Sequence, residues 1–431
     1  MEVKGLFNTG AIQSLLKDEP LFPMVKVSQQ LSSVNMTPQE LPRHLEQALA
    51  AVLATIHPGM RVGITAGSRG IDQIVPILAG VAALVRQRGG KPFIVPCMGS
   101  HGLDAAGQEK ILAGLGITEG TVGAPVASHP EVITLPAPGG KPPAYIDRFL
   151  YQCDGIIVVN RVKAHTAFRG PVESGLQKMI AIGMGKQKGA ASCHQNGFED
   201  MAQRVIDAAN LVLATGKILF GLAILEDARG KLYALEGVAA ADIPRREPEL
   251  LLKAKRLMPS LPFDELDILI VDEMGKDISG SGMDTNIIGR YPTPGMTGSL
   301  QVGQLVALSL TPASEGSGHG MGFADFVSLR LFQRLDFERT YPNGLTNRTC
   351  GPAKLPPVMP NDKTAIQAAV RCCALQNVED IRAARIKNTH HLSEFYISPA
   401  LLNQSVRPLE QKGAIQHLCF DDAGNILDDW Q

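Results

Sequence analysis

The sequence predicts an α/β protein made of two α/β domains with mainly parallel sheets and an active site in the interdomain cleft. Two observations predict the class. Short apolar runs end in polar, glycine-bearing loops and are followed by segments of helical spacing, and this order repeats along the chain. A chain of 431 residues is too long for one small core, and the Pro-Ser-Leu-Pro run at 259–262 reads as a hinge, so domains 1–262 and 263–431 are expected.

Taken in order, residues 38–56 have helical apolar spacing and stop at Pro58-Gly59. The strand 61–65 (RVGIT) delivers Ser68 and Arg69, and 72–88 return as a helix closed by Gly89-Gly90. The strand 91–96 opens into Gly99-Ser100-His101-Gly102, followed by a helix over 104–114 and a strand over 132–135. The apolar run 155–159 reads as a buried strand, 198–214 as a helix, and 218–225 with 231–235 as a hairpin around Asp227 to Gly230. A helix over 247–257 precedes the hinge. The second domain begins with the strand 266–271 and continues with the strand 304–310. Helices are expected at 322–334 and 362–373, short strands at 383–386 and 394–397, and an extended surface connection at 351–360.

Composition excludes several function classes. The net charge of −1 and an aromatic content of 5% give no footprint for a nucleic-acid partner. No run approaches the length of a membrane helix, and the N-terminal MEVKGLFNTGAIQ lacks a basic start with a long apolar core, so neither membrane insertion nor a signal peptide is expected. Seven cysteines without a Cys-x-x-Cys pair read as reduced thiols in a cytoplasm.

The chemistry concentrates in 161–197, RVKAHTAFRGPVESGLQKMIAIGMGKQKGAASCHQNG, which follows a buried strand. Loops that leave the carboxyl ends of neighbouring parallel strands converge, and this brings Ser68-Arg69, His101 and the 163–194 stretch together. A lone loop histidine is structural as a rule, yet two histidines facing one pocket can perform two-base chemistry, which makes His101 and His165 candidates. Arg69 fits a substrate carboxylate through its bidentate fork or, equally, a surface ion pair. Lys178, bordered by Met179, Ile180 and Ile182, is either an exposed helix lysine or a partly desolvated amine that loses its proton readily. Lys186 and Lys188 bind phosphate or lie in solvent. His194 beside Cys193 is half of a soft metal site with no second protein ligand spaced to match. Neither GxxxxGK[ST] nor a strand-following GxGxxG is present. The residues by themselves indicate a small anionic substrate without naming a reaction.

The ordered set resembles the nickel-dependent lactate racemases, the enzymes that use the nickel-pincer nucleotide. It comprises Ser-Arg on one strand loop, GSHG on the next, a Lys-Ala-His loop, a glycine turn, Lys178, and His194 sixteen positions later. The resemblance covers most of the first domain and, more loosely, the second. It implies a racemase or epimerase that inverts C2 of a 2-hydroxy acid by hydride transfer. Lys178 would carry the cofactor covalently and His194 would be the one protein ligand to nickel. Arg69, with Ser68, would grip the substrate carboxylate, and His101 and His165 would alternate as base and acid. Gly183, Gly185, Lys186 and Lys188 would hold the cofactor phosphate.

Proteins that build the cofactor would then be partners, and a homo-oligomer is compatible with this reading. The sequence departs from the family in two places. Thirteen positions separate His165 from Lys178, a longer gap that contains Glu173. The Gln and Lys expected after the loop 281–286 are replaced by Ile287 to Pro292. Lys276 and Arg290 therefore stand as candidates for a different substrate shell, suited to a more polar 2-hydroxy acid such as a sugar acid. A metal-free two-histidine racemase or dehydratase, and a non-catalytic binding protein that keeps the cleft, are the alternatives.

Overall fold

The computed structural model describes residues 5–31, 36–102, 104–346, 348–375, 377–427 and 430. The chain divides into two compact units, Ser32–Met258 and Met1–Leu31 with Pro259–Gln431. The expected first domain, 1–262, is thus corrected at its start. Strand β1 (Pro23–Gln29) pairs antiparallel with the strand Glu394–Ile397, placing Val25 opposite Ile397 and Val27 opposite Phe395. No element was expected before residue 38, because a single short strand whose partner lies more than 360 positions away has no local signature.

In the unit Ser32–Met258, β2 (Arg61–Ala66) and β3 (Lys91–Pro96) come first, then the antiparallel pair β4 (Val132–Leu135) and β5 (Ala144–Asp147). Strands β6 (Gly155–Arg161), β7 (Ile218–Glu226) and β8 (Leu232–Ala239) complete a sheet of order β3-β2-β6-β7-β8. Its first four strands are parallel, and β7–β8 is the expected hairpin. The hairpin turns on Asp227, whose Oδ1 accepts the backbone N–H of Arg229 and Lys231. Both faces of the sheet are covered, which is why β6 reads as a continuous apolar run. Ile157 and Val159 pack with Leu45, Leu49, Ile77 and Val81 of the helices Leu41–Leu53 and Ile74–Gln87. Ile156 and Val158 pack with Leu176, Val205 and Leu250 on the opposite face.

The other unit holds a nine-stranded sheet. Strands β9 (Glu265–Met274), β10 (Gln301–Leu310), β11 (Phe326–Ser328) and β12 (Val358–Met359) run parallel, and β13 (Ala383–Ile386) joins β9 in the same sense. Strand β14 (Glu394–Ile397) then reverses direction and leads to β1. The helix expected at 322–334 is instead β11 followed by the short helix Leu329–Phe332. Apolar residues at Phe323, Phe326, Val327 and Leu331 suit either period, and the parallel pairing of Phe326 with Val306 decides for strand. Within the proline-rich 351–360, Val358–Met359 forms an edge strand rather than a plain connection.

A buried charge at the end of β9 ties this unit to its last residues. Arg385 is 1% exposed, and its guanidinium donates to both oxygens of Asp272 at 2.7–3.0 Å. It lies 5.2 Å from the Tyr396 ring centre and 5.1 Å from that of Trp430, whose indole N–H donates to Asp272 at 2.7 Å. Removing one partner strands a buried charge. Arg385→Met is therefore expected to lower the unfolding free energy of this unit by about 3–5 kcal/mol, read from the urea midpoint. An unchanged midpoint would show that Asp272 is not held charged by this pair.

Candidate active site

Strands β3, β2 and β6 are adjacent and parallel, so their carboxyl ends deliver three loops to one edge of the sheet. The first two loops meet directly: Ser68 Oγ lies 2.6 Å from His101 Nδ1. A hydroxyl both donates and accepts, so this contact is compatible with either neutral tautomer of His101. Arg69, beside Ser68, is exposed.

The third loop is closed by a bridge between Lys163 and Ser174 and is held from within by Glu173. That carboxylate is 1% exposed and accepts the backbone N–H of His165 at 2.7 Å, Arg169 at 3.2 Å and Lys255 at 2.7 Å. The longer spacing between His165 and Lys178 thus contains the residue that pins the loop. The His165 ring lies 4.4 Å from that of Phe168, and its Nδ1 accepts the backbone N–H of Ala167 at 3.0 Å. Burial first, then the charge of Lys178 and the neighbouring His194, Lys163 and Arg169, hold its pKa well below the usual histidine value. A neutral imidazole that accepts at Nδ1 carries its proton on Nε2. In this arrangement His165 presents Nε2–H as a hydrogen-bond donor, where alternation as base and acid was expected.

Lys178 is positioned by the turn before it. Asn160, at the end of β6, donates from its side chain to Gly175 O at 2.7 Å. Glu247, on the helix Ile243–Leu257, accepts the backbone N–H of Gln177 at 2.8 Å and so caps the short helix Leu176–Lys178. Burial pushes the Glu247 carboxyl up to about 7. Gly175 is required because a Cβ there would stand 2.0 Å from Glu247 Oε1. After Lys178 the chain continues as a π-helical turn, Met179–Gly183, a rare geometry that is frequent at functional sites.

The half-buried Lys178 ammonium lies 5.9 Å from the Phe168 ring centre and, among the described residues, makes no hydrogen bond and faces no carboxylate. Burial, followed by the charges of Arg69 and Lys163, lowers its pKa to about 8 against a smaller opposing effect of Cys193. His194 ends the helix Lys186–Cys193, with its ring 5.2 Å from that of Phe198. Its Nδ1 is buried and has no partner among the described residues. Burial and then Lys178 lower its pKa to about 4. His165, Lys178 and His194 thus share surroundings built from Phe168 and Phe198, two rings 6.5 Å apart.

The remaining candidates separate. Gly183 and Gly185 serve close packing: a Cβ on Gly183 would stand 2.8 Å from Cys97 O, and one on Gly185 2.7 Å from Ala181 O. Lys186 is buried, donates to Pro96 O and to Gln108 Oε1 at 2.9 Å, and lies 3.1 Å from Oδ2 of the buried Asp147 as an ion pair. Lys188 is exposed on the rim of a cavity of about 510 Å³ that it lines with Lys186, Arg148, His129 and Gly99. That cavity includes none of His101, His165, Lys178 or His194. Arg290, expected near substrate, is engaged within its own unit: its guanidinium holds the carbonyls of Phe323, Val302 and Gly303 and pairs with Asp325, which ties it to β10 and to the segment before β11. Lys276, in the same unit, is exposed.

Phe168, Phe198 and Glu247 were not foreseen. The aromatic pair has no spacing signal, and Glu247 acts on a residue 70 positions away. Among the described residues no three His, Cys, Asp or Glu side chains are grouped to hold a metal by themselves, and no helix is long and apolar enough to cross a membrane.

Residues 73–242 match the family described as "Domain of unknown function (DUF362)". That span includes His101, His165, Lys178 and His194. No curated protein matches the chain. Among solved structures, the lactate racemase apoprotein from Thermoanaerobacterium thermosaccharolyticum is similar at 12% identity over 66% of this chain and 74% of that one, with a TM-score of 0.45.

A lysine that titrates near 8 reacts at pH values where ordinary lysines, at about 10.4, are charged. Acetic anhydride at pH 8 is expected to acylate half-buried Lys178 faster than exposed Lys188, with a pH–rate midpoint near 8, followed by peptide mass mapping. Between that value and about 10.4 the unfolded chain binds more protons, so the lysine opposes folding fully below pH 8 and the opposition fades as pH rises. Labelling that simply follows exposure would contradict the lowered value.

Proposed function

We propose that the loop cluster on the Ser32–Met258 unit is the active site of a racemase or epimerase that inverts C2 of a 2-hydroxy acid, with a nickel-pincer nucleotide held by Lys178 and His194. The observation that carries the reading is the pairing of two unsatisfied groups in one desolvated place: the Lys178 amine, without a hydrogen-bond partner, and the buried Nδ1 of His194. Both fit the group. An amine with its pKa near 8 is available for acylation at neutral pH, and an imidazole that stays neutral above pH 4 presents a lone pair to a soft metal whose other ligands are carbon and sulfur. When bound, the nucleotide supplies the centre that takes and returns hydrogen at C2.

The chain's own residues do the rest. Arg69 binds the substrate carboxylate through its guanidinium fork. His101, bonded to Ser68, exchanges the proton of the C2 hydroxyl. His165, neutral and protonated on Nε2, donates a fixed hydrogen bond to the same oxygen or to the carboxylate and does not change protonation state. Phe168 and Phe198 limit water around Lys178 and His194. A 2-hydroxy acid more polar than lactate, such as a sugar acid, remains the proposed substrate class. The metal-free alternative requires two bases on opposite faces of C2, and the Ala167–His165 hydrogen bond takes Nδ1 of His165 out of that role. The proposed partners are the proteins that build and load the cofactor.

Co-expression with a pincer-cofactor biosynthetic system should give a covalent adduct on Lys178 with near-stoichiometric nickel, and Lys178→Ala should carry neither. In deuterated solvent the product should retain the substrate hydrogen at C2, whereas proton abstraction would wash deuterium in. Activity should fall about 10²–10⁴-fold in His101→Ala and far less in His165→Asn, which keeps a donor. Full activity in Lys178→Ala would sink the proposal.

A further inference from the structure

Lys186 has a left-handed backbone, φ 53°, at the first position of the helix Lys186–Cys193, and its side chain turns into the protein. The ammonium has donors only, so the group it meets on Gln108 must be the amide oxygen. This fixes the orientation of an amide that is otherwise free to flip. The amide nitrogen then points the other way and donates to Gly99 O at 3.3 Å and His101 O at 3.2 Å. Those two carbonyls belong to a loop flanked by glycines in left-handed conformations, Gly99 at φ 63° and Gly102 at φ 82°, whose other ties are His101 N–H to Met98 O at 3.2 Å and Gly99 N–H to Gly183 O at 3.4 Å. The same loop presents His101 to Ser68 at 2.6 Å.

We propose that Gln108, with its amide oriented by the buried ammonium of Lys186, is a positioning residue that holds the imidazole of His101 against Ser68. Gln108 is 4% exposed and touches neither Ser68 nor the His101 ring in any hydrogen bond, so it acts through the backbone of the loop. Lys186 links this clamp to the helix that ends at His194, and Asp147 neutralises the charge on which the orientation depends. The catalytic meaning rests on the reading of His101 given above. The positioning itself does not.

The test uses the full chain labelled with nitrogen-15 histidine. Ser68→Ala defines the spectrum of a His101 ring released from its Nδ1 contact. Gln108→Glu keeps an oxygen for Lys186 but places a second oxygen against two carbonyls, and Gln108→Leu removes the amide. Both variants are expected to lose the His101 Nδ1 signature as Ser68→Ala does, while the other histidine signals stay in place and the chain stays folded with a lowered melting temperature. A His101 signal like that of the unsubstituted chain in both variants overturns the proposal. So does a general loss of dispersion in both, which would make Gln108 a residue of the fold alone. In cofactor-loaded enzyme the same variants should lower kcat by up to about a hundredfold with KM little changed. Failure of that arm with the spectral change intact would count against the assigned reaction and not against the clamp.

Discussion

Burial of basic groups without a carboxylate beside them is the constraint on which the candidate site depends. Lys178 is crowded by Arg69 and Lys163, no carboxylate offsets them, and the Cys193 thiol does so only in part. His194 feels only burial and Lys178. The nearby carboxylate, Glu173, is engaged with a backbone N–H, Arg169 and Lys255. Desolvation disfavours every charged form, so the lysine is driven toward a neutral amine and the imidazoles toward neutral rings. An arrangement of this kind is costly in a merely structural loop. It suits a place that receives an anion, an electrophile or a soft metal.

The cost is borne by a rigid frame around the basic groups. Asn160 and Glu247 fix the turn at Gly175 from opposite sides, one through a carbonyl and the other through a backbone N–H. Gly183 lets the π-helical turn lie against the loop after β3, whose Gly99 N–H reaches Gly183 O at 3.4 Å. The Lys186–Asp147 pair sits at the same junction. Loops from β3 and β6 are thereby held to one another as well as to the sheet, which allows side chains far apart in sequence to keep a defined relation.

The two histidines illustrate how backbone contacts assign chemical roles. They look alike in sequence, each in a glycine- or alanine-flanked loop after a strand. A serine hydroxyl meets Nδ1 of His101 and leaves both tautomers open, whereas a backbone N–H meets Nδ1 of His165 and selects one. The difference of partner leaves either tautomer open to His101 and commits His165 to a proton on Nε2.

Much of the fold was determined by local sequence: alternating apolar runs and glycine loops sufficed for β2, β3, β6, the β7–β8 hairpin and the helices between them. The same order placed Ser68 with His101, and His165 with Lys178 and His194, because loops on one edge of a parallel sheet must converge. Local pattern could not place β1 in the other unit's sheet, since a strand's partner is chosen by long-range pairing. It could not separate strand from helix at 326–328, where the apolar spacing serves both. Nor could it distinguish the lysines: Lys178, Lys186 and Lys188 lie within eleven positions, yet one is unpartnered, one is buried on Asp147 and one is exposed. Only tertiary packing decides that, because what a lysine can do is set by which acceptors surround its amine, and those come from β3, β5 and the helix Ala105–Gly114.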